Sequence, residues 1–271
     1  MKKFGIVINE LKDPKMEVTS RICSYLCSHG AQCVTVKNAK DLKEEVECIL
    51  VLGGDGTLLQ AASGVAGKNI PMIGVNLGTL GYLAEVEIEN LEEALEQLIR
   101  DEYEVDERIM LQGRMEGKDM HKELSPALND ISITRCGSLQ IISLKIYVNQ
   151  KFLCMWKADG IIISTPTGST GYNMSAGGPI VDPGANLMVL TPICAHTLNA
   201  RSIVLKAEDC VEIEIGSGRN GSILQVEANS DGNERIAMET GDRIFISKAK
   251  NTTRILKLSK VSFLEILHKK M

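Results

Sequence analysis

Ile49-Leu50-Val51-Leu52-Gly53-Gly54-Asp55-Gly56-Thr57-Leu58-Leu59-Gln60-Ala61-Ala62 is the stretch that decides the fold. Its apolar run, glycines and helix-forming residues predict a strand, a turn and a helix in that order. Glycines at such a turn let backbone N–H groups and the positive end of the helix dipole approach phosphate oxygens. A plain strand-to-helix turn would show the same pattern, so the loop alone leaves both interpretations open.

Asp55 distinguishes this loop from common phosphate loops. A carboxylate among phosphates is repelled unless a cation lies between them or the carboxylate takes part in the reaction, so it indicates phosphoryl transfer. The loop is not a Walker A motif, because no Lys-Ser/Thr pair follows, and Leu59 occupies the last glycine position of a Gly-x-Gly-x-x-Gly motif. The residues expected to bind phosphate are Gly53, Gly54, Gly56 and Thr57.

Composition describes a globular protein. The 271 residues, 44% of them hydrophobic, suffice for one large domain or two of ordinary size. A net charge of −5 without a basic arm predicts neither a nucleic-acid nor a membrane partner. The eight cysteines contain no Cys-x-x-Cys pair, which favours reduced thiols and a cytoplasmic location. The first eight residues are too short for the apolar region of a signal peptide and lead directly into a strand.

Cys23, Cys27 and His29 come nearest to a metal-binding cluster. The two cysteines are four residues apart, on the apolar face of a predicted helix that also carries Ile22 and Leu26. Core packing is therefore the expected role, and we predict no metal site formed by protein side chains.

Strand and helix signals alternate over the first hundred residues. Strands are predicted at residues 4–8, 32–36, 49–52 and 72–75, and helices after Asp13-Pro14, over residues 57–65 and after a capping Asn90. This order predicts a Rossmann-like α/β domain, with a parallel sheet, over residues 1–108.

A period of two replaces that rhythm in the second half. Residues 142–148 alternate apolar with polar side chains, and further strands are predicted at 211–215, 222–226 and 243–247 between glycine turns. We expect a β-rich, β-sandwich-like domain over residues 109–251. Residues 252–271, with the apolar stretch 262–267, are expected to return to the first domain.

Residues 158–179 concentrate hydroxyls, glycines and one aromatic residue, Tyr172. Hydroxyl and amide groups can hydrogen-bond a polar ligand, and the Tyr172 ring can present a face to a nucleobase. An ordinary polar loop has a similar composition.

Taken together, these segments resemble the NAD kinase family. The matching motifs occur in the family's order, at Gly53–Gly56, residues 76–81, Asn129-Asp130, residues 159–170 and residues 191–196. Lipid kinases and phosphofructokinases carry related Gly-Gly-Asp-Gly loops, so a single motif is weak and the ordered set is strong.

The resemblance implies a role for each matching residue. Asp55 would be the catalytic carboxylate that accepts a proton. The NAD-binding residues would be Asp55, Gly56, Asn129, Asp130, Lys157, Asp159, Thr170, Gly171, Tyr172, Asn173, Ser175 and Asn233. The chain departs from many relatives at Lys157 (Arg), Gly171 (Ala), Ala195 (Pro) and Asn233 (Gln). Lys157 keeps the charge of arginine but loses its planar fork.

The implied reaction transfers the γ-phosphoryl of ATP, or a phosphoryl of polyphosphate, to the adenosine-ribose 2′-hydroxyl of NAD. Magnesium or another divalent cation would accompany ATP and lie mainly on the nucleotide. The family also implies a homodimer or homotetramer, with Asp159 in a site shared between subunits. The rivals are a lipid or sugar kinase and a non-catalytic NAD-binding sensor.

Three residues have a structural alternative. Asp130 could simply belong to a turn that enters a strand. His196 has the chemistry of a general base, but a structural role is expected because Asp55 already supplies a carboxylate. Asp159 needs a partner, which could be a ligand group or Lys157.

Overall fold

The computed structural model describes residues 1–43, 45–78, 81–117, 121–137, 140–197, 199–259 and 261–270. The chain divides into two units: Met1–Arg108 with Asn251–Met271 (unit 1), and Ile109–Lys250 (unit 2). Each unit contains its own cluster of buried apolar side chains. Within the described ranges, no helix is long and apolar enough to cross a membrane.

Strands and helices alternate through the first part of unit 1. In chain order they are β1 (Lys3–Val7), α1 (Glu17–Ser28), β2 (Gln32–Val36), β3 (Cys48–Gly53), α2 (Asp55–Gly64), β4 (Met72–Asn76), β5 (Ala84–Glu87), α3 (Leu91–Ile99) and β6 (Glu104–Arg108).

Unit 2 consists mainly of strands. They are β7 (Leu111–Glu116), β8 (His121–Glu123), β9 (Asp130–Arg135), β10 (Ile142–Val148), β11 (Lys151–Ala158), β12 (Gly160–Ser164), β13 (Leu187–Ile193), β14 (Ile203–Lys206), β15 (Val211–Ile215), β16 (Gln225–Ser230), β17 (Glu234–Glu239) and β18 (Arg243–Lys248), with the short helix α4 (Tyr172–Ser175) between β12 and β13. The chain then returns to unit 1 with β19 (Thr253–Lys257) and α5 (Phe263–Lys270).

The unit 1 sheet has the strand order β2-β1-β3-β4-β19-β6, and β5 also pairs with β4. The pairings among β1 to β5, and that of β19 with β4, are parallel, whereas β6 is antiparallel to β19. Every residue of β3 is buried, as expected for a central parallel strand with both faces covered. The predicted α/β architecture is therefore confirmed, with one antiparallel edge strand added.

One predicted helix start and one predicted cap need correction. Helix α1 begins at Glu17 rather than after Asp13-Pro14, and Met16 before it has a positive φ of 54°. The Asp13 carboxylate still acts as a cap, because it accepts hydrogen bonds from the Thr19 N–H (2.9 Å) and hydroxyl (2.6 Å). At α3, the Asn90 side chain makes no capping hydrogen bond, so that part of the prediction is wrong.

The cysteines of α1 differ in burial. Cys23 packs against the unit 1 core as predicted, whereas Cys27 is exposed, because it lies toward the edge of the apolar face. All eight cysteines are free thiols.

Unit 2 contains two sheets, with strand orders β11-β10-β15-β18-β7-β8 and β14-β13-β12-β9-β16-β17. Side chains from both sheets share one core, including Leu144 and Ile146 of β10 and Ile161 and Ile163 of β12. Inward-facing apolar residues on two facing sheets define a β-sandwich, which confirms the predicted fold class. The strand predicted at residues 222–226 instead begins at Gln225, because Gly218 and Ser222 still belong to a hydrogen-bonded turn.

Candidate functional site

In unit 1, the glycine loop joins the buried strand β3 to helix α2. Gly53 is the last residue of β3, Gly54 is the extended N-cap, and the helix begins at Asp55. The Gly54 carbonyl accepts the N–H groups of Thr57 (3.0 Å) and Leu58 (3.2 Å). The N–H groups that start a helix lack intrahelical acceptors, and the helix dipole adds partial positive charge there. This end of α2 therefore favours an anionic ligand.

Two backbone N–H groups orient the Asp55 carboxylate. Tyr82 donates to Oδ2 at 2.8 Å and Leu83 donates to Oδ1 at 3.1 Å. A Cβ added at Gly81 would lie 1.8 Å from Oδ1, far inside van der Waals contact. Glycine at position 81 is therefore a requirement of this arrangement, in which each carboxylate oxygen keeps further lone pairs for a substrate.

The predicted segment 76–81 supports this arrangement from the end of β4. Asn76 is 3% exposed, and its amide exchanges hydrogen bonds with the N–H (3.1 Å) and carbonyl (3.0 Å) of Gly78. Thr79 and Leu80 lie outside the described residues. The described part of the motif thus forms a turn before the loop that holds Asp55.

Lys12 is a cation near the glycine loop that the sequence interpretation missed. Its Nζ lies 3.3 Å from the position of a Cβ added at Gly54, and 2.8 Å from that of a Cβ added at Gly78. Lys12 also lines a cavity of about 560 Å³, together with Gly54, Gly56 and Thr57. The sequence could have indicated Lys12 through the predicted topology, since residues that follow neighbouring parallel strands meet at one edge of the sheet.

In unit 2, the Asp231 carboxylate fixes the backbone of the Asn129-Asp130 pair. It accepts hydrogen bonds from the N–H groups of Leu128 (2.7 Å), Asn129 (2.9 Å) and Asp130 (3.0 Å). In the sequence, Asp231-Gly232 has the pattern of an ordinary turn. Thr165 binds the carbonyl groups of the same segment. Its hydroxyl donates to the Leu128 carbonyl at 2.6 Å, and its N–H donates to the Asn129 carbonyl at 2.8 Å.

The side chains of this pair are largely buried in unit 2. Asn129 Oδ1 is buried and accepts no hydrogen bond from the described part of the chain. Asp130 is 7% exposed, and its burial, followed by the charge of Asp231, raises its carboxyl pKa to about 7. An unsatisfied buried polar atom costs about 1–3 kcal/mol. Both side chains are therefore suited to hydrogen-bond a ligand.

The loop after β12 packs directly against this pair. A Cβ at Gly168 would lie 2.2 Å from the Asn129 carbonyl oxygen, so only glycine allows this approach. Tyr172 is 44% exposed, and its phenol pKa is raised by burial and then by the charges of Asp130 and Asp159. Asp130 pairs with Ser164 at the end of β12, whereas Asp159 precedes the start of that strand, so the two carboxylates lie at opposite ends of β12.

Asn173 differs from the other residues predicted for this loop. Its side chain is buried, its amide N–H groups donate to the Ser169 (3.2 Å) and Pro179 (3.0 Å) carbonyls, and its oxygen accepts from Thr191 (2.7 Å). Its amide therefore stabilises the loop, and the place of Asn173 in the NAD-binding set stays a prediction. Nearby, Thr170 and Gly171 are half-buried, and Ser175 is exposed.

Asp159 lies between β11 and β12 with Arg135 as its ionic partner. The Arg135 Nε to Asp159 Oδ1 distance is 3.1 Å, so the alternative partner Lys157 is wrong. Lys157 is exposed and lines a separate cavity of about 420 Å³ with Arg219.

Asn233 and His196 are also exposed. Asn233 follows Gly232 after β16, and its N–H donates to the Ser230 carbonyl. His196 follows β13, and its N–H donates to the Lys157 carbonyl. Their side chains are therefore accessible to solvent within this unit.

The chain thus combines an α/β unit that carries a carboxylate at its glycine loop with a β-sandwich unit. Two family models match the chain: the ATP-NAD kinase N-terminal domain over residues 35–103, and the ATP-NAD kinase C-terminal domain over residues 128–258.

Full-length relatives agree with the family models. The chain is 46% identical to an NAD kinase of Agathobacter rectalis, with 100% of this chain and 99% of the relative covered. It is 43% identical to an NAD kinase of Lachnospira eligens, with both chains fully covered. The chain belongs to the NAD kinase family.

Two solved structures share the fold. Yeast NADH kinase complexed with NADH superposes with a TM-score of 0.90 at 22% identity, covering 100% of this chain and 87% of the yeast chain. An Archaeoglobus fulgidus NAD kinase in complex with ATP superposes with a TM-score of 0.81 at 23% identity, covering 100% of this chain and 98% of that chain.

Proposed function

We propose that the protein transfers the γ-phosphoryl group of ATP to the adenosine-ribose 2′-hydroxyl of NAD and so makes NADP. The observation that carries this proposal is the Asp55 carboxylate, oriented by two backbone N–H groups at the start of α2. Membership of the NAD kinase family supports the choice of substrate.

In this reaction the 2′-oxygen attacks the γ-phosphorus, and the bond from that phosphorus to the ADP oxygen breaks. The hydroxyl proton passes to Asp55, which acts as the general base. The hydrogen bonds from Tyr82 and Leu83 limit rotation of the carboxylate, so an oxygen is already directed before substrate binds. The N-terminus of α2 favours the negative charge of the phosphates.

Most of the residues proposed to bind the dinucleotide belong to unit 2. Asn129 and Asp130 would meet the adenosine end of NAD, an assignment supported by the unpartnered Asn129 Oδ1 and the buried Asp130 carboxyl. Tyr172 would present its half-exposed ring to a nucleobase. Asp159 would accept a hydrogen bond from a ligand hydroxyl or amide while it stays paired with Arg135. Gly56, Lys157, Thr170, Gly171, Asn173, Ser175 and Asn233 complete the proposed set.

Magnesium is proposed to accompany ATP. Within the described ranges, no group of three or more His, Cys, Asp or Glu side chains could hold a metal ion. Mg²⁺ keeps several waters and needs few protein ligands, so a hydrated cation would take most of its ligands from the triphosphate and water. When bound, the cation would neutralise negative charge on the phosphates. Polyphosphate is an alternative donor under the same proposal.

A homodimer or homotetramer is also proposed. The edge strand β11 exposes three large apolar side chains, Phe152, Leu153 and Met155. Apolar residues on an open sheet edge favour association with another chain, and a second copy is the proposed partner. A cytoplasmic location is supported by the eight unpaired cysteines.

A coupled assay for NADP formation tests the proposal, with ATP and polyphosphate as separate donors. NADP formed with a donor and a divalent cation, and abolished by excess chelator, is the expected result. Diacylglycerol vesicles and fructose 6-phosphate serve as alternative acceptors. Phosphorylation of either lipid or sugar in preference to NAD, or NAD binding without turnover, would contradict the proposal.

A further inference from the structure

Lys12 is a charged side chain at the glycine loop to which the proposed reaction has so far given no role. The loop's own side chains include one carboxylate, Asp55, and no cation. A triphosphate brought to this loop carries several negative charges, so a nearby ammonium group would stabilise both its binding and the charge that develops during transfer. The Lys12 side chain brings such a group beside Gly54.

The ammonium group lies against two backbone segments. Its Nζ is 2.8 Å from the Cβ position at Gly78 and 3.3 Å from that at Gly54, so it is positioned beside the N-cap of α2. Neither residue has a side chain to separate the ammonium from the cavity. The N–H of Lys12 donates to the Asn9 carbonyl at 3.0 Å, and Asn9 in turn donates to the Thr57 hydroxyl at 3.1 Å. The Lys12 backbone is thus connected to the glycine loop.

The two lysines that line this cavity differ in their charge partners. Lys37 is paired with Glu10 at 2.7 Å. Among the described residues, no carboxylate forms an ion pair with Lys12. The Lys12 charge is therefore available to a ligand, whereas the Lys37 charge is already compensated.

We propose that the Lys12 ammonium group binds the terminal phosphoryl group of the nucleotide donor. This assignment rests on the proposed function, because it assumes that a nucleoside triphosphate occupies the glycine loop. Lys12 lies outside both stretches matched by the family models, so its role is inferred from the geometry of this chain.

The terminal phosphoryl is favoured over the other phosphates by the position of Asp55. Asp55 receives the proton of the hydroxyl that attacks the γ-phosphorus. Only that hydroxyl therefore lies between the Asp55 carboxylate and the γ-phosphoryl group. Gly54, which Lys12 approaches, immediately precedes Asp55. An ammonium at this point contacts γ-oxygens and counters the charge that builds on them in the transition state.

Isothermal titration of Lys12→Met with ATP, ADP and AMP, at one fixed magnesium concentration, tests the proposal. Methionine keeps most of the length of lysine and removes the charge. Loss of one charge-assisted contact should weaken ATP binding about 10- to 100-fold, with a much smaller effect on ADP and none on AMP or NAD. Lys12→Arg should restore most of the ATP affinity, because it retains the charge.

Lys15→Met is the matched control. Lys15 is three residues away, its side chain is 83% exposed, and it lies outside the lining of the cavity. Its substitution changes the net charge equally and should leave ATP affinity unchanged. A comparable loss in Lys15→Met would reduce the effect to general electrostatics and overturn the assignment.

Equal losses for ATP and ADP in Lys12→Met would assign the ammonium to an inner phosphate and refute the terminal contact. Unchanged ATP binding would refute any contact. The proposed function can fail separately from this assignment. If Lys12→Met weakens ATP binding but the wild-type protein phosphorylates an acceptor other than NAD, the role of Lys12 stands and NAD is not the substrate.

Discussion

Gly81→Ala should disable Asp55 without touching the carboxylate itself. In the structure, the new Cβ would lie 1.8 Å from Oδ1, 2.4 Å from Cγ and 2.6 Å from Oδ2 of Asp55. Relief to an ordinary contact of about 3.4 Å requires the carboxylate or the loop to move by more than about 1 Å. Such a shift breaks the 3.1 Å bond from Leu83, and can break the 2.8 Å bond from Tyr82.

The expected cost follows from these two hydrogen bonds. Each contributes about 0.5–1.5 kcal/mol net, so the free energy of unfolding should fall by about 1–3 kcal/mol. Misplacement of a catalytic group by about 1 Å can cost about 10²-fold in rate, so kcat should fall by about that factor. The dissociation constant for NAD should change much less than kcat, because most of the proposed NAD-binding residues belong to unit 2.

Steady-state kinetics, calorimetric NAD titration and thermal unfolding measure these effects. Gly5→Ala is the control, because a Cβ there meets the Leu42 and Val46 side chains at 3.4 Å, an ordinary contact. A Gly81→Ala variant that folds and turns over at the wild-type rate would refute either the described position of Asp55 or its role.

Two further predictions concern unit 2. The carboxyl pKa of Asp130 is raised to about 7, so the folded state binds the carboxyl proton more tightly than the unfolded chain does. The free energy of unfolding should therefore fall as the pH rises from about 4 to about 7, and this group should cause no further fall above that. Denaturant unfolding across this range should show the corresponding slope, and Asp130→Asn should remove it. Asp231→Ala leaves three backbone N–H groups without their acceptor, so the KM for NAD should rise by about tenfold or more with a smaller change in kcat. An unchanged KM in a folded Asp231→Ala variant would show that NAD binding does not depend on this backbone arrangement.

The elements that were predictable from sequence have strong local patterns. The apolar run before Gly53 forms β3, which is buried on both faces and therefore continuously apolar. The alternation over residues 142–148 forms β10, which is buried on one face and therefore alternates apolar with polar residues. The apolar stripe of α3 likewise buries Leu91, Ala94, Leu95 and Leu98.

The features that were missed depend on long-range contacts. Strand β19 lies between β4 and β6 in the sheet although it comes from the other end of the sequence, and its short run Thr253–Lys257 has no distinctive period. Asp231 is separated by 101 to 103 residues from the three N–H groups that it binds. No local pattern could distinguish it from an ordinary turn aspartate.

The same limit applies at the candidate site in unit 1. The carboxylate of Asp55 was evident from its loop, but Tyr82 and Leu83, which orient it, follow a different strand. Lys12 follows a third strand, β1. Their convergence comes from the parallel sheet, which gathers the ends of β1, β3 and β4 at one edge.

The turnover of Asp55→Asn, measured across a magnesium series, tests the central claim most directly. Asparagine keeps one acceptor oxygen and faces the second backbone N–H with its own amide group, so the variant should fold with a loss of about 1–3 kcal/mol and still bind NAD. If Asp55 is the general base, kcat falls by about 10²–10⁴-fold at every magnesium concentration. Near-normal kcat, or recovery of the rate as magnesium is raised, would contradict that role.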